Sequence, residues 1–328
     1  MKKYKYKYML FAIVLFLGLV SCESIKKTKA IKLAHGLDET HPVHKAMVFM
    51  GQELEKKSDG TLNIHVYPNQ QLGSERQCLE LLQIGSLGMT KVSAAVMENF
   101  SPNMKVFGLP YLFENREQAF RVLDGPIGKE LLDGGTKYWL KGLGYYDAGS
   151  RSFYTVKEPI EEPDDLKGLK IRVMESVTAM NMIKSMGGAP TPISSGELYT
   201  ALQQGVVDGA ENNPPTFYLT REYEVCKYFS LDEHTTIPDV LIMSTHLWDS
   251  LNEEEQGWVQ EAADASVQYQ RTLWAKAEDE AIAAVEKAGV TVSRPDKAPF
   301  MEKVTSVYES YKDNPEVYSL IQRIQETD

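Results

Sequence analysis

The segment Lys170-Ile171-Arg172-Val173-Met174 places one guanidinium inside an apolar alternation. Successive side chains of a strand point to opposite faces, so Ile171 and Val173 share one face and Arg172 takes the other. A guanidinium rarely goes inside unless it is paired. Its planar fork grips a carboxylate through two parallel hydrogen bonds, which lysine cannot copy. Three readings stand at this point: capture of an anionic ligand, pairing with a protein Asp or Glu, or exposure at the strand end. Arg151 has a similar setting in Gly149-Ser150-Arg151-Ser152-Phe153-Tyr154. Asn212 and Asn213 follow a predicted strand end and precede Pro214-Pro215. Amides there can donate to a carboxylate or a sugar hydroxyl, or form the turn before proline.

Signs of catalysis are missing from the sequence. It has no nucleophile elbow, no phosphate-binding Gly-rich loop and no His-Glu-x-x-His. His41 and His44 have a spacing that two metal ligands could use, but Pro42 and the loop setting read better as a helix start. Glu161, Glu162, Asp164 and Asp165 around Pro163 read as a solvated turn. No enzyme activity, metal or cofactor is expected.

The elements that must position these residues alternate between strand and helix. Residues 31–35 read as a strand, 43–57 as a helix and 62–67 as an alternating strand. Ser74 and Gln77 have capping-box spacing for a helix through Ile84. Residues 104–109 and a following helix complete a first α/β unit. A second unit starts near Gly149, with strands at 151–156 and 170–174. Its helix, at 196–204, is capped by Ser195 and stopped by Gly205. Leu202-Gln203-Gln204-Gly205 faintly repeats Leu82-Gln83-Ile84-Gly85, as if two domains shared a plan. Residues 252–287 hold no proline and a single glycine, Gly257. As one helix they would run about 50 Å, long enough to serve both domains; the alternative is two helices with a kink. The expected organisation is a first domain of 30–149 and 239–265 and a second of 150–238 and 279–328. A chain that crosses repeatedly suits a hinged clamp with a ligand in its cleft.

The N-terminus supplies an address. Lys2, Lys3, Lys5 and Lys7 precede an uncharged apolar run at 9–20. That is about 12 residues against the roughly 20 of a membrane span, so it reads as a secretory signal over 1–21. The run ends in Leu19-Val20-Ser21-Cys22, which resembles a bacterial lipobox with Cys22 as the lipidated residue. Residues 22–29 would then be a tether. Loss of 1–21 removes four lysines and takes the formal net charge from −11 to −15, which argues against a nucleic-acid partner. Cys78 and Cys226 are expected to be two separate buried thiols rather than a disulfide.

Two longer stretches carry a family resemblance. Asp165-Leu166-Lys167-Gly168-Leu169-Lys170-Ile171-Arg172-Val173 is one. Leu198-Tyr199-Thr200-Ala201-Leu202-Gln203-Gln204-Gly205-Val206-Val207-Asp208-Gly209, followed by Glu211-Asn212, is the other. With Gln71-Leu72-Gly73 and the surroundings of Trp248, they make the chain similar to the DctP-like solute-binding subunits of TRAP transporters, from residue 30 onward. The resemblance implies an α/β, two-domain, periplasmic-binding-protein-like clamp with a domain-spanning helix. It also implies a membrane permease as partner, an extracytoplasmic (periplasmic) location and, with Cys22, a lipid-anchored monomer. Arg172 falls on the family's carboxylate-binding arginine, Asn212 on its supporting asparagine and Arg151 on a second arginine. Glu75 and His35 fall on frequent wall positions. Three stretches, around Arg151, around Asn212-Asn213 and from Glu233 to Asp239, look like the hexuronate-binding members. Glucuronate or galacturonate would then place its carboxylate on Arg172, with Arg151, Glu75, His35, Asn213 and Asp239 reading hydroxyls. Sialic acid and C4-dicarboxylates are the rival ligands, and a dicarboxylate would favour both arginines as carboxylate partners. A secreted uronate-processing enzyme is the rival of another class.

Overall fold

The computed structural model describes residues 28–327. The predicted signal over 1–21, Cys22 and nearly all of the tether lie outside the described residues. The strands, in chain order, are β1 (Lys29–Ala34), β2 (Leu62–Tyr67), β3 (Met89–Ser93), β4 (Leu140–Tyr146), β5 (Arg151–Thr155), β6 (Lys170–Val173), β7 (Ala189–Pro192), β8 (Gly209–Asn212), β9 (Tyr228–Thr235), β10 (Asp239–Ser244) and β11 (Thr291–Ser293).

They form two sheets, ordered β2-β1-β3-β10-β4 and β11-β9-β5-β8-β6-β7. In the first, β1 runs parallel to β2 and β3, while β10 runs antiparallel to β3 and β4. In the second, β6 is parallel to β7 and β8, and β5 is antiparallel to β8 and β9. Pro190 and Pro192 lie in β7, an edge strand, where a missing N–H costs no ladder bond. Residues 102–108 wind into a 3-10 helix, while the Gly-containing Leu140–Tyr146 supplies the first sheet's edge strand.

The chain crosses between the sheets at 147–150, at 236–238 and along the helix Glu253–Lys287. That helix is unbroken over 35 residues, which removes the kinked alternative. Asn252 and Glu255 close a reciprocal capping box at its start. Its N-terminal half buries Val259, Ala262, Ala263 and Val267 with the first lobe's core, and Val285 lies in the second's. Gly149 sits at the first crossing with φ +57, a left-handed conformation that disfavours side chains. A Cβ there would also overlap Glu278 Oε1 on the long helix and approach Trp274 Nε1 to 2.9 Å.

The chain's end departs from the expected division. Residues 279–328 were assigned to the second domain, and β11 does pair with β9 there. The last helix, Pro315–Gln325, packs instead on the first lobe. Gln118 Nε2 donates to Thr327 O (3.1 Å), Asn103 Nδ2 to Glu316 (2.6 Å), and Arg323 pairs with Glu130 at 2.6 Å. Its apolar stripe of Val317, Leu320, Ile321 and Ile324 fixes which face is buried but says nothing of what lies opposite. Cys78 and Cys226 are both free and buried, in separate cores. Burial pushes the Cys78 thiol up to about 11, so it stays protonated.

Candidate functional site

The strand ends of the two lobes face each other across a cavity of about 70 Å³. That is several times the roughly 10–15 Å³ one water needs, and a size for a small solute. The second lobe's wall carries Arg151, Arg172, Ser194, Asn212, Asn213 and Thr216. The first lobe's wall carries His41, Gln70, Glu75, Lys91, Ser93 and Asp239, and Trp274 of the long helix closes the side.

Arg172 is buried at 3% exposure. Its Nε donates to Ile193 O at 2.8 Å, and no described carboxylate pairs with its guanidinium. A buried cation with no carboxylate in hydrogen-bond reach is a costly arrangement for a structural residue. Its terminal nitrogens are free to hold a carboxylate in the cavity it lines.

Arg151 is committed differently. It forms an ion pair with Glu211 through Nε. Its Nη2 donates to Glu211 Oε1 at 3.0 Å and to Glu211 O at 2.7 Å, and its Nη1 to Asn212 Oδ1 at 2.8 Å. Four of the five N–H groups are thus used, which leaves one for a ligand. The pair is buried deeper by His234, whose Nδ1 lies 2.8 Å from Asp232 and whose Nε2 lies 3.6 Å from Glu211. Asp232 and His234 share a face because they are two apart on β9, and His234 stacks on Phe153 with centroids 4.3 Å apart.

Asn212 accepts from Arg151 and from Asn213 N (2.9 Å) through Oδ1, so its Nδ2 donors remain for the cavity. Asn213 caps the helix Pro214–Leu219 by accepting from Thr216 N at 2.9 Å. It therefore combines the turn role with a place on the wall.

This architecture has known counterparts. Residues 33–314 match the family model described as bacterial extracellular solute-binding protein, family 7. The chain belongs to that family. The uncharacterised protein YiiZ of Salmonella typhimurium is 42% identical over 297 residues, with 90% of each chain covered. Two TRAP periplasmic solute-binding proteins superpose closely. One, from Xanthobacter autotrophicus with bound β-D-galacturonate, is 40% identical with a TM-score of 0.88, covering 91% of this chain and all of the other. One from Roseobacter denitrificans with bound β-D-glucuronate is 36% identical with a TM-score of 0.89, covering 92% of this chain and all of the other. As a family 7 protein the chain is a solute-binding protein of the DctP type. Among the described residues no helix is long and apolar enough to cross a membrane.

One expected wall residue of this family 7 protein is placed elsewhere. His35 does not line the cavity; it lies behind the wall. Its Nδ1 accepts from Leu37 N at 3.0 Å and its Nε2 meets His44 Nδ1 at 3.0 Å. Burial first, then Lys91 and His44, lower its pKa to about 3, so it is neutral. His41 takes the wall position. Its Nδ1 accepts from Val43 N at the helix start, and its ring lies 5.7 Å from Trp274.

The sequence reading also missed Lys91, which is 4% exposed at the cavity wall. Its Nζ lies 2.8 Å from Asp239 Oδ1 and 3.2 Å from Glu75 Oε1. The available signal was a lysine inside the short strand Met-Thr-Lys-Val-Ser. Glu75 also accepts from Ser93 N at 3.2 Å.

The Arg151–Glu211–His234–Asp232 cluster makes stability depend on pH. Burial lowers the His234 pKa, but Asp232 and Glu211 outweigh it and hold the ring at about 9. A folded value above the unfolded 6.5 or so gives stability that is full below that pH and is lost as pH rises through 9. Burial raises Glu211, but Arg151 and His234 outweigh it and bring it to about 2. Its contribution is full above about 4.5 and is lost as pH falls through 2. The His35 ring, whose lowered value makes stability fall as pH drops below about 6.5, acts in the same direction as Glu211, so stability should peak near pH 6.5. Urea titrations should show it falling by about 3 kcal/mol toward pH 9.5; a flat profile from pH 6 to 9.5 would refute a protonated His234.

Proposed function

We propose that the protein binds a hexuronate, D-glucuronate or D-galacturonate, closes around it and delivers it to a membrane permease. The observation that carries this reading is the buried, unpaired Arg172 facing an acid-bearing wall across the cleft. One free guanidinium suits one ligand carboxylate. Arg151, already held by Glu211, has a single N–H left and makes a poor partner for a second carboxylate. Glu75 and Asp239 on the opposite wall are acceptors for sugar hydroxyls. The galacturonate and glucuronate in similar family members favour the same solute class.

Thermal melts with a panel of uronic, sialic and dicarboxylic acids test it. Glucuronate or galacturonate at a hundredfold excess over Kd should stabilise by about 3 kcal/mol. If no organic acid moves the melt, the reading fails.

The signal and Cys22 support a periplasmic, lipid-anchored monomer working beside its permease. Lipid chains contribute about 0.8 kcal/mol per buried CH₂, enough for several to hold a protein on a membrane. Cys22→Ser should move the protein from the membrane fraction to the soluble one on cell fractionation. Continued membrane association would sink the anchor.

A further inference from the structure

Resting on that reading, we propose that Glu75, Lys91 and Asp239 form a charge sieve that admits acids with one carboxylate and rejects those with two. The three side chains are a preformed unit. Lys91 Nζ bridges Asp239 Oδ1 at 2.8 Å and Glu75 Oε1 at 3.2 Å. All three line the first lobe's wall of the cavity, with side-chain exposures of 5% for Lys91, 11% for Asp239 and 19% for Glu75. The unpaired Arg172 stands on the second lobe's wall.

Two carboxylates against one ammonium leave an excess negative charge at this wall. Lys91 has three donors, and two already go to the carboxylates. It has little left for a third anion. Burial, with Glu75 beside it, pushes the Asp239 carboxyl upward even though Lys91 opposes the shift. A ligand whose first carboxylate sits on Arg172 must turn its other end toward this wall. A hydroxyl there donates to Glu75 or Asp239 and accepts from the third N–H of Lys91. Within this trio a second carboxylate can accept only from Lys91 and is repelled by both acids, in a cavity where water screens little.

The sharpest comparison is between a hexuronate and the hexaric acid of the same sugar. They differ at C1, where the hexaric acid carries a carboxylate and so cannot close the pyranose ring; the change in their ratio when a wall charge is removed separates charge from shape. Calorimetry with D-glucuronate and D-glucarate on the full protein reads the ratio of the two Kd values. The wild type should favour glucuronate by roughly a hundredfold or more. Glu75→Gln, which neutralises one acid and keeps the shape, should lower that ratio at least tenfold, even if both ligands bind more weakly. Asp239→Asn should do the same and serves if the first variant does not fold. Equal binding of the two acids by the wild type overturns the sieve while leaving hexuronate binding intact. An unchanged ratio in both variants overturns it as well. Failure of the wild type to bind either acid overturns the sieve together with the hexuronate reading.

Discussion

Arg172→Lys should weaken hexuronate binding by at least a hundredfold while leaving the melting temperature of the ligand-free protein within a degree or two. The guanidinium is buried and makes no ion pair with a described carboxylate; Glu222 is felt only through space, so the fold gains little from its charge. Its Nε is already held by Ile193 O at 2.8 Å, which fixes the plane in which the terminal nitrogens lie. A carboxylate on that fork receives two parallel charge-assisted bonds. An ammonium is a point charge with no such plane. Losing a desolvated pair of this kind costs about 2–5 kcal/mol. Calorimetry on the variant measures the loss directly. Wild-type affinity would remove Arg172 from the carboxylate site and with it the main support for the proposed ligand class.

Glu211→Gln should have the opposite signature, a large loss of stability. Arg151, His234 and Asp232 share the buried cluster with Glu211, and all are almost wholly shielded from water. Neutralising Glu211 leaves two cations against Asp232 alone. Breaking a buried pair from one side typically costs about 3–5 kcal/mol, because the remaining charge stays desolvated. Urea denaturation should report a loss of that size. Arg151→Met in the Glu211→Gln background should recover part of it, since the stranded guanidinium is then gone. If the two substitutions simply add, the pair is not the unit described. This cluster also distinguishes the two arginines: Arg151 is built into the wall by Glu211, whereas Arg172 keeps its terminal nitrogens clear of described carboxylates and is the residue we propose meets the solute.

The long helix, the capping box at Ser74 and the face taken by Arg172 could all be read from local pattern. Residues 252–287 lack proline, and the helix runs unbroken from Glu253 to Lys287. Ser74 and Gln77 exchange both capping bonds. Arg172 alternates with Ile171 and Val173, and period two alone sends it to the other face. Lys91 was hidden because all five residues of Met89–Ser93 are buried, so no polar alternation marked a face. Its two acids come from the helix at Glu75 and from the start of β10 at Asp239, and only the assembled first sheet with its covering helix brings these together. His35 illustrates the converse. Its position at a strand end was legible, but the turn after Ala34 sends its ring against His44 and Leu37 and gives the wall to His41.

The sequence by itself determined the elements, the family and the residue types available to meet an acid, because helix caps, strand alternation and signature stretches are local. The tertiary structure decided which charges are paired. Arg151 and Arg172 occupy similar sequence settings and their strands flank β8 on either side, yet the register sets Arg172 opposite Ala210 and brings Glu211 to Arg151 only. An ion pair forms between residues 60 apart in the chain, and no local pattern encodes that distance. Of the two cleft arginines only Arg172 is left without a carboxylate in hydrogen-bond reach among the described residues, and on that difference rests our proposal that the cleft receives a carboxylate.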